Sequence, residues 1–305
     1  MQQSFGDRLA QAVLHKGNPV CVGLDPRGDQ LPPGIRVSAA ASLAEQAKAY
    51  EIFCCEVIDA THALVPVVKP QSAFFEELGP EGVATLARVC KYASSKGLIV
   101  VMDAKRNDIG TTAAAYARAY LGNMGQSPFG ADALTVSPYL GMDSLEPFVA
   151  RCNEVGAGLF VLVKTSNPGS GFLQDVQVDS VSISEKVANY VQQQSIALSS
   201  SQYAYGPIGA VVGATYPEQL VAMRNRMPNA WILVPGYGAQ GGAAKDVVLG
   251  MDSRGMGAIV NSSRGILFAY ENPKYASANG WQRAVEMATI DMIESLRQAA
   301  SESYK

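Results

Sequence analysis

The sequence predicts a (β/α)8 TIM barrel in the α/β class, and three observations predict it. Short apolar runs recur along the chain, and a stretch with helical periodicity follows each one. The runs are continuously apolar and do not alternate, which is typical of parallel strands buried on both faces. Eight such units fit within 305 residues, a length that suits this barrel with modest insertions.

The predicted elements follow one another in a regular order. The strands cover 19–25, 64–70, 98–105, 133–138, 158–166, 209–215, 231–236 and 257–263. The helices after them cover 41–61, 72–97, 111–125, 142–155, 183–195, 217–227, 243–254 and 280–300. The first 17 residues predict a further amphipathic helix, and the weakly patterned stretch 192–206 predicts a long loop.

An open doubly wound sheet is the alternative architecture for alternating strands and helices. It usually has fewer strands and a single ligand site where the strand order reverses. No linker rich in Pro or Ser divides the chain. We therefore expect one barrel domain over 1–305.

Composition excludes several classes of protein. A net charge of −3 argues against a broad basic surface for nucleic acid. Five cysteines, with Cys54 next to Cys55, indicate free thiols in a reducing compartment, and two histidines without paired cysteines argue against a zinc site. The N-terminal segment lacks the apolar stretch of a signal peptide, and no apolar run is long enough to cross a bilayer. We expect a cytoplasmic protein without nucleic-acid or membrane partners.

Polar residues gather where the predicted strands end, which in this barrel is where the active site is built. They are Asp25, Lys69, Asp103, Lys105, Ser137, Lys164, Ser166, Thr215, Gln240 and Arg264. Loops begin at strand ends, and this alone accounts for Ser137 and Thr215. It does not account for Lys69 between valines and a proline, or for two charges at the end of the apolar third strand.

The stretch VVMDAKRNDIGTT (100–112) turns from an apolar strand into a charged cluster. The two-residue period of a strand directs Asp103 and Lys105 to one face. Buried charges are costly unless they are paired, and Lys69, Asp103, Lys105 and Asp108 are able to pair in alternation. We interpret them as a functional array in preference to a structural ion network. Two carboxylates already neutralised by two ammonium groups favour a reaction without metal or cofactor.

A second pattern, GYGAQG (236–241), matches the glycine fingerprint of dinucleotide-binding folds. Its context argues against that function, because it follows the seventh strand and Asp252 comes too early to bind a ribose. A glycine-rich turn that opens a helix still offers N–H groups to an anion. The loops after the seventh and eighth strands commonly bind phosphate in this barrel, so Gln240 and Arg264 are predicted to bind one.

The residues DAKRNDIGTT (103–112) resemble the D-x-K-x-x-D-[IG]-x-x-T signature of orotidine 5′-phosphate decarboxylases. Further matching pieces occur in the family's order, namely GLDP (23–26), VVKPQ (67–71), KTSNPG (164–169), PGYGAQGG (235–242) and SSRG (262–265). The resemblance covers nearly the whole chain, and its longer loops are similar to those of the larger bacterial enzymes. The extended loop after the fifth predicted strand (167–180) departs from the smaller enzymes and leaves its lid contacts open.

The resemblance implies a reaction and a role for each residue. Orotidine 5′-phosphate would lose CO2 to give UMP, the last step of de novo pyrimidine synthesis, without a cofactor. Lys105 would stabilise the carbanion and protonate it, Asp103 would lie near the departing carboxylate, and Lys69 would complete the array. Asp25 would bind ribose hydroxyls, Ser166 the pyrimidine edge, and Gln240 with Arg264 the phosphate. Asp108 and Thr112 would reach into the site of a neighbouring subunit, so the resemblance implies a homodimer.

Two other functions remain open at this point. Phosphosugar lyases such as keto-gulonate phosphate decarboxylase share the charged signature on the same barrel, but they use magnesium and a further acidic ligand. No obvious additional acid follows the second predicted strand here, and activity in excess EDTA separates the two. A non-catalytic nucleotide-binding barrel is the alternative from a different class, and a turnover assay excludes it.

Overall fold

The computed structural model of the chain describes residues 3–199, 202–238 and 242–303. Their strands are β1 (Val20–Leu24), β2 (Val67–Pro70), β3 (Ile99–Arg106), β4 (Ala133–Val136), β5 (Gly158–Lys164), β6 (Gln177–Val178), β7 (Val181–Ser182), β8 (Ile208–Val212), β9 (Ile232–Val234) and β10 (Ala258–Ser262). Eight of them form a closed parallel barrel in the order β1-β10-β9-β8-β5-β4-β3-β2. The predicted fold class is confirmed.

The helices lie between the strands in the order that the alternating pattern predicts. They are α1 (Phe5–Lys16), α2 (Leu43–Thr61), α3 (Ser72–Glu76), α4 (Gly79–Ser95), α5 (Gly110–Tyr120), α6 (Glu146–Val155), α7 (Gly171–Gln174), α8 (Ile183–Ala197), α9 (Pro217–Arg226), α10 (Ala244–Val247), α11 (Arg264–Leu267) and α12 (Trp281–Ser303). Within the described ranges, no helix has both the length and the apolar character needed to cross a membrane.

Helix starts follow from local side-chain chemistry. Ser42 accepts a hydrogen bond from the N–H of Glu45, and the Glu45 carboxylate accepts one from the N–H of Ser42, which forms a capping box at the start of α2. The same arrangement joins Ser182 and Glu185 at the start of α8. Each box satisfies backbone N–H groups that a helix start otherwise leaves unpaired.

Three predictions about elements need correction. The single helix predicted over 72–97 is two helices, α3 and α4, and the one predicted over 243–254 is only the short α10 and a 3-10 turn. The long loop predicted over 192–206 is wrong in its first part, because α8 continues to Ala197. The insertion after β5 carries α7 and an antiparallel hairpin, β6 with β7, which the sequence did not predict.

The barrel interior is packed with side chains, and α1 closes its N-terminal end. Phe5 lies edge-on against Phe160 of β5, with ring centroids 5.9 Å apart. The indole N–H of Trp231, just before β9, donates to the carbonyl oxygen of Gly6 at 3.2 Å. Leu9 is fully buried in the same cluster. The described side chains close this end, and active sites of this barrel form at the opposite end, where the strands finish.

Candidate active site

A cavity of about 480 Å³ opens at the C-terminal ends of the strands. Six of the nine residues predicted for the site line it, namely Asp25, Lys69, Asp103, Lys105, Ser166 and Arg264. Gln240 lies outside the residues that the structure describes. Asp108 and Thr112 are not part of the cavity wall.

Asp103, near the end of β3, is the centre of a hydrogen-bonded cluster at the base of this cavity. Its Oδ2 atom accepts from Lys69 Nζ at 2.5 Å and from Gln71 Nε2 at 3.0 Å. Its Oδ1 atom accepts from Lys105 Nζ at 2.6 Å and from Thr135 Oγ1 at 2.9 Å. One carboxylate thus has two cationic and two neutral donors, and its position is fixed from four directions.

The charges in this cluster stabilise one another. Burial alone would raise the pKa of Asp103, but the ammonium groups of Lys69 and Lys105 outweigh it, and the pKa lies well below its usual range. Burial would lower the pKa of Lys69, but the negative charges of Asp103 and Asp25 raise it above its usual range. Both Lys69 and Asp103 are therefore charged at neutral pH.

Lys105 differs from Lys69 in how much of it faces the cavity. The Lys105 side chain is 48% exposed, whereas that of Lys69 is 5% exposed. The Lys105 backbone has φ of +48°, a left-handed conformation that costs energy in a residue with a side chain. A half-exposed ammonium group at the cavity surface, bonded to a fixed carboxylate, suits proton delivery to a bound molecule.

The end of β1 brings a second carboxylate to the cavity wall. A Cβ atom on Gly23 would lie 2.0 Å from Ser263 Oγ, so only glycine allows this close approach of the segments after β1 and β10. Two residues later, Asp25 Oδ1 is buried and has no hydrogen-bond partner among the described residues. A buried carboxylate oxygen without a donor is suited to accept a hydrogen bond from a ligand hydroxyl.

The predicted anion site lies on the same side of the cavity. Gly236 and Gly238 have φ of +83° and +71°, so the turn after β9 requires residues without a side chain. Arg264 follows β10 and lines the cavity. The helix expected to open from the glycine turn starts only at Ala244 and has four residues. A cation and the surrounding backbone thus support anion binding here, without a substantial helix dipole.

Side-chain contacts fix the loop after β5 at the edge of the cavity. The buried Lys164 Nζ binds Asp175 Oδ1 at 2.6 Å, so this lysine, one of the polar strand-end residues, anchors the loop. Gln174 accepts from the Thr165 N–H at 2.9 Å and adds a second connection. Between these contacts, Ser166 packs so closely on Gly213 that a Cβ atom there would lie 2.7 Å from Ser166 Cβ.

Asp108 does not join the alternating chain of charges that the sequence suggested. Its Oδ1 atom accepts from the Ile109 N–H at 2.8 Å, and within the described ranges it has no ion pair. Thr112 is exposed in the first turn of α5. Both residues therefore lie outside the cavity of their own chain.

Sequence reasoning missed two of the four donors to Asp103. Gln71 follows Lys69 by two residues, and that spacing on a strand was the available signal. Thr135 carried no signal, because a threonine within an apolar strand is commonly a packing residue. No group of three or more metal-ligating side chains occurs in the described part of the chain.

Comparison with known proteins gives consistent results. The model of the orotidine 5′-phosphate decarboxylase / HUMPS family matches residues 18–279. A protein of Rhodopirellula baltica named orotidine 5′-phosphate decarboxylase is 54% identical over 300 residues, which cover 96% of this chain and 99% of that protein. One of the same name from Caldicellulosiruptor bescii is 37% identical over 98% of this chain and 99% of its own length.

Solved structures agree with the sequence relatives. The structure of Leishmania donovani OMP decarboxylase superposes with a TM-score of 0.75 at 33% identity. The match covers 98% of this chain and 99% of that one. The similarity therefore extends over the whole barrel and includes all of the strand ends that form the cavity.

Proposed function

Since this chain belongs to the orotidine 5′-phosphate decarboxylase family, we propose that the cavity at the strand ends is where it converts orotidine 5′-phosphate to UMP and CO2. The observation that carries the assignment of the site is Asp103, held between Lys69 and Lys105 at the base of the cavity. This arrangement presents a cation and an anion side by side to a bound ligand. The family's reaction uses both.

The chemistry requires a proton and a way to stabilise negative charge. The bond between ring carbon C6 and the carboxylate breaks, CO2 leaves, and the electron pair remains on C6. The ammonium of Lys105 stabilises that pair and transfers a proton from Nζ to C6, which yields UMP and a neutral amine that solvent reprotonates. Both steps need the charge and the proton that Lys105 carries.

The remaining charges orient and destabilise the bound substrate. Asp103 faces the position of the substrate carboxylate, and their mutual repulsion is relieved as CO2 leaves. Lys69 holds Asp103 in place and completes the array. The apolar residues Leu162, Val211 and Leu233 contribute to the cavity wall and reduce contact between the reacting carbon and water.

Contacts away from the reacting carbon supply binding energy. Asp25 accepts hydrogen bonds from ribose hydroxyls, which satisfies its buried Oδ1 atom. Ser166 binds the edge of the pyrimidine, and Gln240 and Arg264 bind the phosphate. In this orientation the base lies toward Asp103 and the phosphate toward Arg264, and both residues line the cavity.

The function is tested by following the ultraviolet absorbance of orotidine 5′-phosphate as the purified chain converts it. We expect turnover in excess EDTA equal to that without the chelator, because we propose that no metal takes part. Loss of activity in EDTA would instead indicate a metal-dependent lyase on the same barrel. No turnover under either condition would remove the decarboxylase assignment and favour a nucleotide-binding protein.

Replacing Arg264 with alanine is expected to lower kcat/KM by roughly 100-fold, because a charge-assisted hydrogen bond contributes about 3 kcal/mol. Binding energy at the phosphate is used at the reacting carbon, so the loss includes kcat. The effect should shrink strongly with orotidine, which lacks the phosphate. Arg283→Ala, an exposed arginine on α12, is the matched control and should behave as wild type. Equal losses on both substrates would remove Arg264 from the phosphate site.

We also propose a homodimer whose two sites are shared. Asp108 and Thr112 lie outside their own cavity, at the beginning of α5 and the segment before it. Exposed apolar side chains occur on the segments after the neighbouring strands β3 and β4, with Ile109 57%, Tyr139 73% and Leu140 45% exposed. Exposed apolar residues beside Asp108 and Thr112 are what a subunit interface would cover.

Helix packing and the state of the cysteines bear on the extent of the domain and on the cellular location of the protein. We propose that 1–305 form one catalytic barrel domain, since α1 and α12 at the two ends both pack against the barrel. We propose a cytoplasmic location, because all five cysteines are free thiols. The protein then has two kinds of partner, namely its small-molecule substrate and a second copy of the same chain.

A further inference from the structure

Strand β3 is irregular where it carries the charged cluster. Met102 pairs with Leu134 of β4, but the next pair along is Arg106 with Val136. Between these pairs, three residues on β3 lie opposite one residue on β4, so the segment between Met102 and Arg106 bulges out of the ladder. Bulges beside active sites commonly redirect a side chain. Here the bulge contains both Asp103 and Lys105.

The side chain of Thr135 lies against this bulge. Its Oγ1 atom accepts from the N–H groups of Ala104 and Lys105, each at 3.0 Å. Thr135 is 1% exposed, so no solvent replaces these contacts. The Lys105 backbone that it holds is the one with φ of +48°. A strained backbone persists only where neighbouring contacts stabilise it, and Thr135 supplies two of them.

The same hydroxyl is also bonded to Asp103. A threonine hydroxyl has one hydrogen to donate and two lone pairs to accept with. Both backbone N–H groups can only donate, so they occupy the two lone pairs of the hydroxyl oxygen. The hydroxyl therefore donates its hydrogen to Asp103 Oδ1, and the two oxygen atoms are 2.9 Å apart. The hydrogen-bonding capacity of Thr135 is thus fully used. The direction of each bond is fixed.

We infer that Thr135 is a positioning residue for the decarboxylation. It fixes the proton donor, Lys105, and the carboxylate of Asp103 in position relative to each other. It holds the backbone of Lys105 in the conformation from which Nζ reaches Asp103 Oδ1 at 2.6 Å, and it fixes that oxygen by a further bond. Thr135 lines the cavity and its hydroxyl bonds to Asp103, whereas Asp25 and Arg264 are the residues proposed to bind the ribose and the phosphate. The inference rests on the proposed role of Lys105 as proton donor.

The test compares Thr135→Val, which keeps the shape and removes the hydroxyl, with Thr135→Ser, which keeps the hydroxyl. Loss of a buried hydrogen bond to a charged group lowers kcat by about 10- to 100-fold in Thr135→Val. We expect the affinity for UMP to be unchanged, because the ribose and phosphate contacts remain, and kcat to return close to wild type in Thr135→Ser. Thr289→Val is the matched control. It removes another fully buried hydroxyl, which bonds to the Val285 carbonyl within α12 and does not line the cavity, so kcat should not change.

Several results would overturn the inference. A folded Thr135→Val protein with wild-type kcat, a loss confined to UMP affinity, or a Thr135→Ser protein as impaired as the valine variant would each do so. If Thr135→Val does not fold, Thr135→Cys replaces the hydroxyl by a weaker donor and acceptor, and wild-type kcat in that variant overturns the inference. Wild-type turnover of orotidine 5′-phosphate is measured first, so a failure of the proposed function is seen separately.

Discussion

Lys105→Ala is expected to lower kcat by about 10⁴-fold or more, because the variant loses the proton donor and the cation beside the carbanion together. Affinity for UMP should stay within about tenfold of wild type, since the lost interactions develop only in the transition state. Single-turnover decarboxylation measures the first effect. Titration with UMP measures the second.

The chain offers a matched control for this substitution. Lys96 forms an ion pair with Asp59 at 2.6 Å, the same distance as between Lys105 and Asp103, but on the outside of the barrel. Lys96→Ala should leave kcat unchanged. Lys105→Arg keeps the positive charge on a group that rarely releases its proton, and it should recover little of the rate. A Lys105→Ala enzyme with a substantial part of wild-type turnover would show that another group delivers the proton.

Mixing two inactive variants is expected to restore activity if the sites are shared between subunits. Lys105→Ala and Asp108→Ala should each be nearly inactive alone. In a mixed dimer, one site carries both substitutions and the other carries neither. With random pairing, about half of the dimers are mixed and each has one intact site, so activity returns to about a quarter of wild type per subunit, as closed two-fold assembly predicts.

A second mixture shows whether the recovery has the proposed cause. Lys69 and Lys105 belong to one cavity of one chain, so mixing Lys69→Ala with Lys105→Ala should restore nothing. Native mass spectrometry of differently tagged subunits confirms that exchange has occurred. If exchange is complete and the Lys105→Ala and Asp108→Ala mixture stays inactive, then Asp108 acts within its own chain or not at all.

The strands were predictable from sequence because their pattern is dictated locally. Each barrel strand is covered on both faces, so each is a continuous apolar run between polar loops. The aspartate and two lysines of the array were also predictable, because charges within such runs need partners. Lys69, Asp103 and Lys105 all line the cavity, as this argument predicted.

Features that depend on distant partners were not predictable. The bulge in β3 requires the hydroxyl oxygen of Thr135 as an acceptor, and Thr135 lies 30 residues beyond Lys105. No residue near Lys105 in the sequence indicates the bulge. The polar end of α8 remains helical because Gln192 and Ser195 bind Asn229, which lies in the segment before β9. Local propensity favoured a loop there, and tertiary contacts favour the helix. The position of Asp108 outside its own cavity was implied by the family resemblance, whereas the charge pattern alone suggested that it would pair with Lys105.

The closure of the barrel by α1 has a consequence for biosynthesis. This helix is synthesised before every strand of the barrel, but the Gly6 carbonyl bonds to Trp231, 225 positions later. Its buried face, which includes Phe5 and Leu9, therefore has no complete docking site until most of the polypeptide has been made. During elongation that apolar face stays accessible to chaperones and proteases. A chain released before β9 would leave this face without the contact to Trp231.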